Sequence, residues 1–290
     1  MLNRQKTILA LVETTDKEAS FVRITMLSFL LTEEAPFHGG NSFYRFVPYH
    51  NGPYSFMLSH ELSILERNGL LRCVDEGKLS TTEQYKIDMQ ALPTKLQEDV
   101  SWMVRRFGNK TEDQLLSYVR EAYPWFTSNS LDVNQRRVVR PQSGTAVYTL
   151  GYEGLSIDGC LDVLLRSGIR RIVDVRSNPI SRQYGFHKHP LEYICRQVEI
   201  DYAHLPELGI SSSLRAGATS CKLKTELLLS YSEDLNSRQC AVGKASEMVA
   251  EISSVLLCVE ADPSQCHRGP LSSILAGKTG LRICHLGWPR

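Results

Sequence analysis

Polar residues in the second half of this chain gather directly after apolar runs, where side chains at strand ends meet a ligand. Asp174 and Arg176 close the run RIVDV, and Arg182 follows in the same loop. Glu260, Cys266, His267 and Arg268 follow VLLCV, and Glu153 sits in Gly151-Tyr-Glu-Gly. A carboxylate beside a sugar can stabilise an oxocarbenium-like transition state or activate water. Asp174 and Glu260 are therefore the expected catalytic pair, with Glu153 a third acid. Partial desolvation after so apolar a strand is expected to raise the Glu260 pKa. Guanidinium groups bind phosphate with two parallel hydrogen bonds, which makes Arg176, Arg182 and Arg268 expected phosphate contacts. A helix opening at Gly269-Pro270 would add its free N–H groups. The same arginines could instead pair with Asp174, Glu207 and Glu260 inside the fold.

Cys266-His267 invites a nucleophile reading, since a helix N-terminus and arginines lower a thiol pKa. Neighbours in a chain seldom aim at each other, so both are assigned to the substrate-contacting wall. Cys258, Cys266, His267, Cys284 and His285 match no zinc spacing, and alternation makes Cys258 and Cys284 small inward strand residues. No metal and no cofactor are expected. Tyr184, His187 and Lys188, beside Phe186 and His189, mix cations with aromatics, which suits stacking on a base while holding a phosphate. Phe186 could instead pack under the loop. Tyr202, His204 and Glu207 would complete the wall.

The elements that must position these residues alternate. The pattern predicts strands at Ala146–Leu150, Arg171–Val175, Tyr202–Leu205, Val255–Val259 and Leu281–Leu286. Helices are predicted at Ser156–Ser167, Pro190–Glu199, Ala245–Ser253 and Pro270–Ala276, with Gly209–Leu223 irregular. Such alternation calls for an α/β fold, a mostly parallel sheet with helices on both faces. The motifs YTLGYEG, DVRSNPISRQYGFHK, YAHLPELG and LLCVEADPSQCHRGPL, in this order, resemble the bacterial family catalogued as domain of unknown function 488. The resemblance covers about half the chain and implies a fold and a set of characteristic residues, not a reaction.

The first half is mainly helical, with helices predicted at Gln5–Val12, Phe21–Leu31, Ser55–Asn68, Thr94–Phe107 and Thr111–Tyr123. A hairpin is predicted with strands Leu70–Val74 and Gln84–Ile87 around Asp75-Glu76-Gly77. The segment FVPYHNGPYSFMLSHELSILERNGLL resembles winged-helix segments of bacterial proteins, over about residues 5 to 90. It implies a winged-helix-like domain, taken with its extra helices over 1–126; the aperiodic, polar and basic stretch 127–144 reads as a linker, and the alternating part 145–290 as the catalytic domain. The groove-reading helix would present Ser59, His60, Ser63, Glu66, Arg67 and Asn68, a set poor in positive charge. DNA binding and protein contact both remain open for it, with Arg45 and Arg136-Arg137 as other phosphate contacts.

The net charge of +1 excludes a whole-protein basic field, so any nucleic-acid surface must be local. Eight scattered cysteines without Cys-x-x-Cys pairs, and a start without signal-peptide character, point to the cytoplasm. Together these readings lead to a metal-independent DNA glycosylase. It would flip a modified base into its pocket, for repair or phage defence, with DNA as partner, no membrane, and an oligomer possible. Magnesium-dependent phosphodiester cleavage and a nucleotide-sensing, DNA-binding regulator are the alternatives.

Overall fold

Apolar residues at three- and four-residue spacing can bury one face only by packing helix on helix, and that packing builds the first of two compact units. The computed structural model describes residues 1–15, 18–74, 77–82, 89–217 and 220–287. The chain divides into Met1–Val139 and Arg140–Arg290.

The first unit runs α1 (Asn3–Thr15), β1 (Glu18–Ser20), α2 (Phe21–Glu34), β2 (Val47–Tyr49), β3 (Gly52–Tyr54), α3 (Phe56–Arg67), β4 (Leu71–Cys73), β5 (Lys78–Thr81), α4 (Thr94–Phe107) and α5 (Glu112–Ala122). Ser20 and Ser55 start α2 and α3 by accepting the N–H groups of Arg23 and Leu58, donors that a helix start leaves unpaired. The strands β1, β5 and β4 form an antiparallel sheet in that order. The return strand of the expected hairpin thus lies at Lys78–Thr81. The run KLST holds a single apolar residue, Leu79, so pattern reading passed over it. The expected strand Gln84–Ile87 lies outside the described residues. Phe29 anchors the core, meeting Phe46, Tyr123 and Phe126 edge to face. Thr127 to Ser130 are buried in the same unit. Arg136 donates to the Ser130 carbonyl and the Arg137 N–H to Thr127 Oγ1.

The second unit continues with β6 (Val147–Gly151), α6 (Ile157–Arg166), β7 (Arg171–Asp174), α7 (Lys188–Gln197), β8 (Asp201–His204), α8 (Ser212–Gly217), α9 (Cys221–Asp234), α10 (Gln239–Glu251), β9 (Ser254–Cys258), α11 (Arg268–Thr279) and β10 (Ile283–His285). All five strands are parallel, in the order β10-β6-β9-β7-β8. Strand residues Val147, Val173, Leu256 and Cys258 share a core with Val242, Val249, Leu271 and Leu275 of α10 and α11. Alternation turns Tyr148, Leu150, Ile172 and Val255 to the opposite face. The stretch expected to be irregular forms α8 and the start of α9. Among the described residues, no helix is long and apolar enough to cross a membrane.

Candidate functional site

Parallel strands joined by right-handed crossovers put their helices on one face when the order advances and on the other when it reverses. Here the chain leaves β6 toward β7, but leaves the adjacent β9 toward β10, on the other side of β6. The crevice outside the carboxyl ends of β6 and β9 is therefore a topological switch point, the usual ligand position in an open α/β sheet. Glu153 follows β6 and Glu260 follows β9. The Glu153 carboxylate accepts the Ala261 N–H at 2.9 Å, tying the two loops together. Gly151 permits this approach: a Cβ there would stand 1.8 Å from the Glu260 carbonyl oxygen.

A cavity of about 400 Å³ opens at this edge. Its walls carry Glu153, Glu260, Asp262, Gln265, Cys266 and His267 from the loops, with Ile210 and α9 residues Lys224, Leu227 and Leu228 opposite. Burial pushes the Glu260 carboxyl up. Hydrogen bonds from the Cys266 thiol, the Glu260 backbone N–H and the Cys258 thiol, with a smaller electrostatic effect of His267, outweigh burial and hold it below the usual value. This corrects the expected upward shift: Glu260 is a half-buried, ionised carboxylate.

Asp174 has a different fate. It is buried, and its oxygens accept from Arg176 Nε (2.8 Å), Arg176 Nη2 (2.6 Å), the Arg176 backbone N–H (3.1 Å) and the Tyr202 hydroxyl (2.7 Å). Arg176 Nη1 donates to the Tyr152 hydroxyl and the Phe186 carbonyl. Burial pulls the guanidinium pKa down, but Asp174 and Tyr152 more than offset it and raise it. The pair joins the loops after β6 and β7 around a filled interior. Asp174 as a catalytic carboxylate, and Arg176 and Tyr202 as substrate contacts, are corrected accordingly, because their polar atoms are consumed by one another. His204 is likewise committed, its Nε2 lying 2.8 Å from the Arg176 carbonyl.

Arg268 is also internal. Its guanidinium donates to the carbonyls of Glu260 and Ala261, so it holds the loop after β9 in shape rather than contacting a phosphate. The expected anion site at the start of α11 is weakened too, since the Gly269 N–H is given to the Cys266 carbonyl and Pro270 has none. Arg182 and His187 are exposed, and Tyr184 and Lys188 are half-buried; none of the four lines the cavity. Phe186 is buried and stacks on Tyr152 at 3.9 Å, so it packs under the loop.

Burial and contact with Cys258 push the Cys266 thiol well above its ordinary value, against a smaller opposing effect of His267. A thiol kept protonated is a poor nucleophile. His267 is buried, with Nε2 3.0 Å from the Val175 carbonyl and Nδ1 3.6 Å from Cys258 Sγ, which removes it as a phosphate contact. The sequence spacing led to no expected metal, yet the ligand atoms of Cys258, Cys266 and His267 lie within 4.8 Å of one another. The loop after β9 folds back on its own strand, so a Cys from the strand meets a Cys-His pair from the helix start.

Pattern reading missed Lys224 and Asp262, and set Cys258 aside as a small inward strand residue. Asp262 lies in the quoted motif, but Lys224 sits on a helix without a clear apolar stripe. No curated protein and no solved structure matches the chain. Residues 156–275, which hold Asp174, Glu260, Cys266 and His267, match the family model described as Domain of unknown function DUF488, and in this part the chain is similar to that family.

Proposed function

We propose that the second unit is a hydrolase that cleaves the N-glycosidic bond of a modified base in DNA, with Glu260 as its catalytic carboxylate. The observation that carries this reading is the Glu260 carboxylate on the wall of a cavity of about 400 Å³ that Glu153 and Asp262 also line. Cleavage of a glycosidic bond develops positive charge on the sugar, and fixed negative charge in a partly water-excluded site stabilises that state more than the neutral ground state. The same carboxylate can take a proton from the attacking water. An acidic cavity suits a neutral or cationic base and repels phosphate. Phosphate contacts then belong outside it, to the exposed Arg182 and His187 on the loop after β7 and to Lys188 at the start of α7.

The first unit supports a nucleic-acid substrate. Its order α1-β1-α2-β2-β3-α3-β4-β5, with the sheet β1-β5-β4, is compatible with a winged helix-turn-helix carrying the β2-β3 hairpin between its helices, in which α3 would be the groove-reading element. Magnesium-dependent cleavage is less well supported, because that ion prefers oxygen ligands and the group gathered among the described residues is two thiols and an imidazole.

The test is incubation of the full chain with DNA from unmodified and heavily modified phages, with and without EDTA. Released bases are read by mass spectrometry and abasic sites by alkaline cleavage. Free base that disappears with Glu260→Gln supports the reading. Absence of both free base and abasic sites from all these DNAs overturns it.

A further inference from the structure

Three soft or borderline ligands meet beneath the cavity. Cys258, Cys266 and His267 are 0%, 1% and 3% exposed, and their donor atoms all lie within 4.8 Å of one another. The imidazole is already oriented. A carbonyl can only accept, so the 3.0 Å contact between Nε2 and the Val175 oxygen puts the ring proton on Nε2. That leaves the lone pair on Nδ1, with Cys258 Sγ beside the ring, 3.6 Å from Nδ1 and 3.9 Å from Nε2, so the thiol must turn toward Nδ1 for both to hold one ion. A histidine that donates its far nitrogen to a backbone carbonyl is held as metal-ligating histidines usually are. Tetrahedral bonds of about 2.3 Å to sulfur and about 2.0 Å to nitrogen separate those two atoms by about 3.5 Å, close to the spacing present here. The Tyr231 ring meets the imidazole edge to face at 5.5 Å and helps fix its plane.

We infer that Cys258 Sγ, Cys266 Sγ and His267 Nδ1 form a Zn²⁺ site with three protein ligands, whose fourth position faces Glu260 and the cavity. Two thiolates and an imidazole select zinc over magnesium or calcium. Glu260 Oε2 lies 3.4 Å from Cys258 Sγ, and Glu260, Cys266 and His267 share the cavity wall. Three protein ligands with an open position are the pattern of a catalytic rather than a structural zinc, and a water there is acidified to a pKa of about 7. Glu260 is placed to take its proton. The inference goes beyond the glycosidic reading and is separable from it, because metal content is measured on protein without substrate.

The full chain, expressed with zinc and desalted under a phosphine reductant, is expected to hold about one zinc per chain by mass spectrometry of the metal. Cobalt substitution should give the sulfur-to-cobalt charge-transfer band and the intense visible bands of a tetrahedral site. Wild-type protein that is folded by circular dichroism yet takes up no zinc and shows no such band overturns the inference, whatever the base-release assay shows. Cys266→Ala and His267→Ala should each lose stoichiometric zinc. Because a buried substitution can fail to fold, the cobalt spectrum of the wild type is the deciding measurement. Glu260→Gln should keep its zinc; loss of zinc there would overturn the open fourth position.

Discussion

Asp174 and Glu260 follow neighbouring strands, yet water is excluded from the first and reaches the second. Asp174 ends β7 with Arg176 two residues on and Tyr202 across the adjacent strand, so its lone pairs are filled from within. Breaking such a pair leaves one buried charge without a partner. Arg176→Met is therefore expected to cost about 3–5 kcal/mol, read by urea unfolding; a change within about 0.5 kcal/mol would contradict the buried pair. Glu260 keeps a face on the cavity. Glu260→Gln should lower turnover about 10²- to 10⁴-fold, the range for general acid–base catalysis, with an unchanged melting temperature. Full turnover in that variant would remove Glu260 from the chemistry.

At the scale of elements, the site depends on how closely the loop after β9 lies on the end of β6. Gly151→Ala forces a Cβ against the Glu260 carbonyl, where backbone cannot yield as a side-chain tip would. The expected result is a loss of about 1–3 kcal/mol or more together with loss of turnover. A variant with wild-type stability and rate would show that this approach is not needed. Gly243, inside α10, is the counterpart: a Cβ there meets nothing within 4 Å. Gly243→Ala should stabilise the protein by about 0.5–1 kcal/mol, seen as a higher denaturant midpoint. Most helix ends were legible because their signals are local. Ser156 caps α6 through the Gly159 N–H, and Thr94–Phe107 forms over its expected residues. The strand β5 was not legible, because its pairing partners, β1 and β4, supply a reason to be extended that KLST lacks.

For the whole molecule, two separate cores predict two folding units. Phe29 and its neighbours serve Met1–Val139, while the sheet with α10 and α11 serves Arg140–Arg290. Fragments 1–139 and 140–290 should each unfold cooperatively in a calorimeter, at separate temperatures. A fragment lacking a transition would show that its core needs the other. The sequence by itself determined the alternation of strands and helices, the parallel sheet and the position of polar residues at strand ends, since each follows from local periodicity and capping. Only the tertiary structure decided their roles. Whether an arginine faces a ligand or a carbonyl, and whether a cysteine is filler or ligand, depends on which strands become neighbours. The insertion of β9 between β6 and β7 brought Glu260 beside Glu153, and the return of its loop brought Cys258 to His267. Those contacts join residues that local pattern cannot pair.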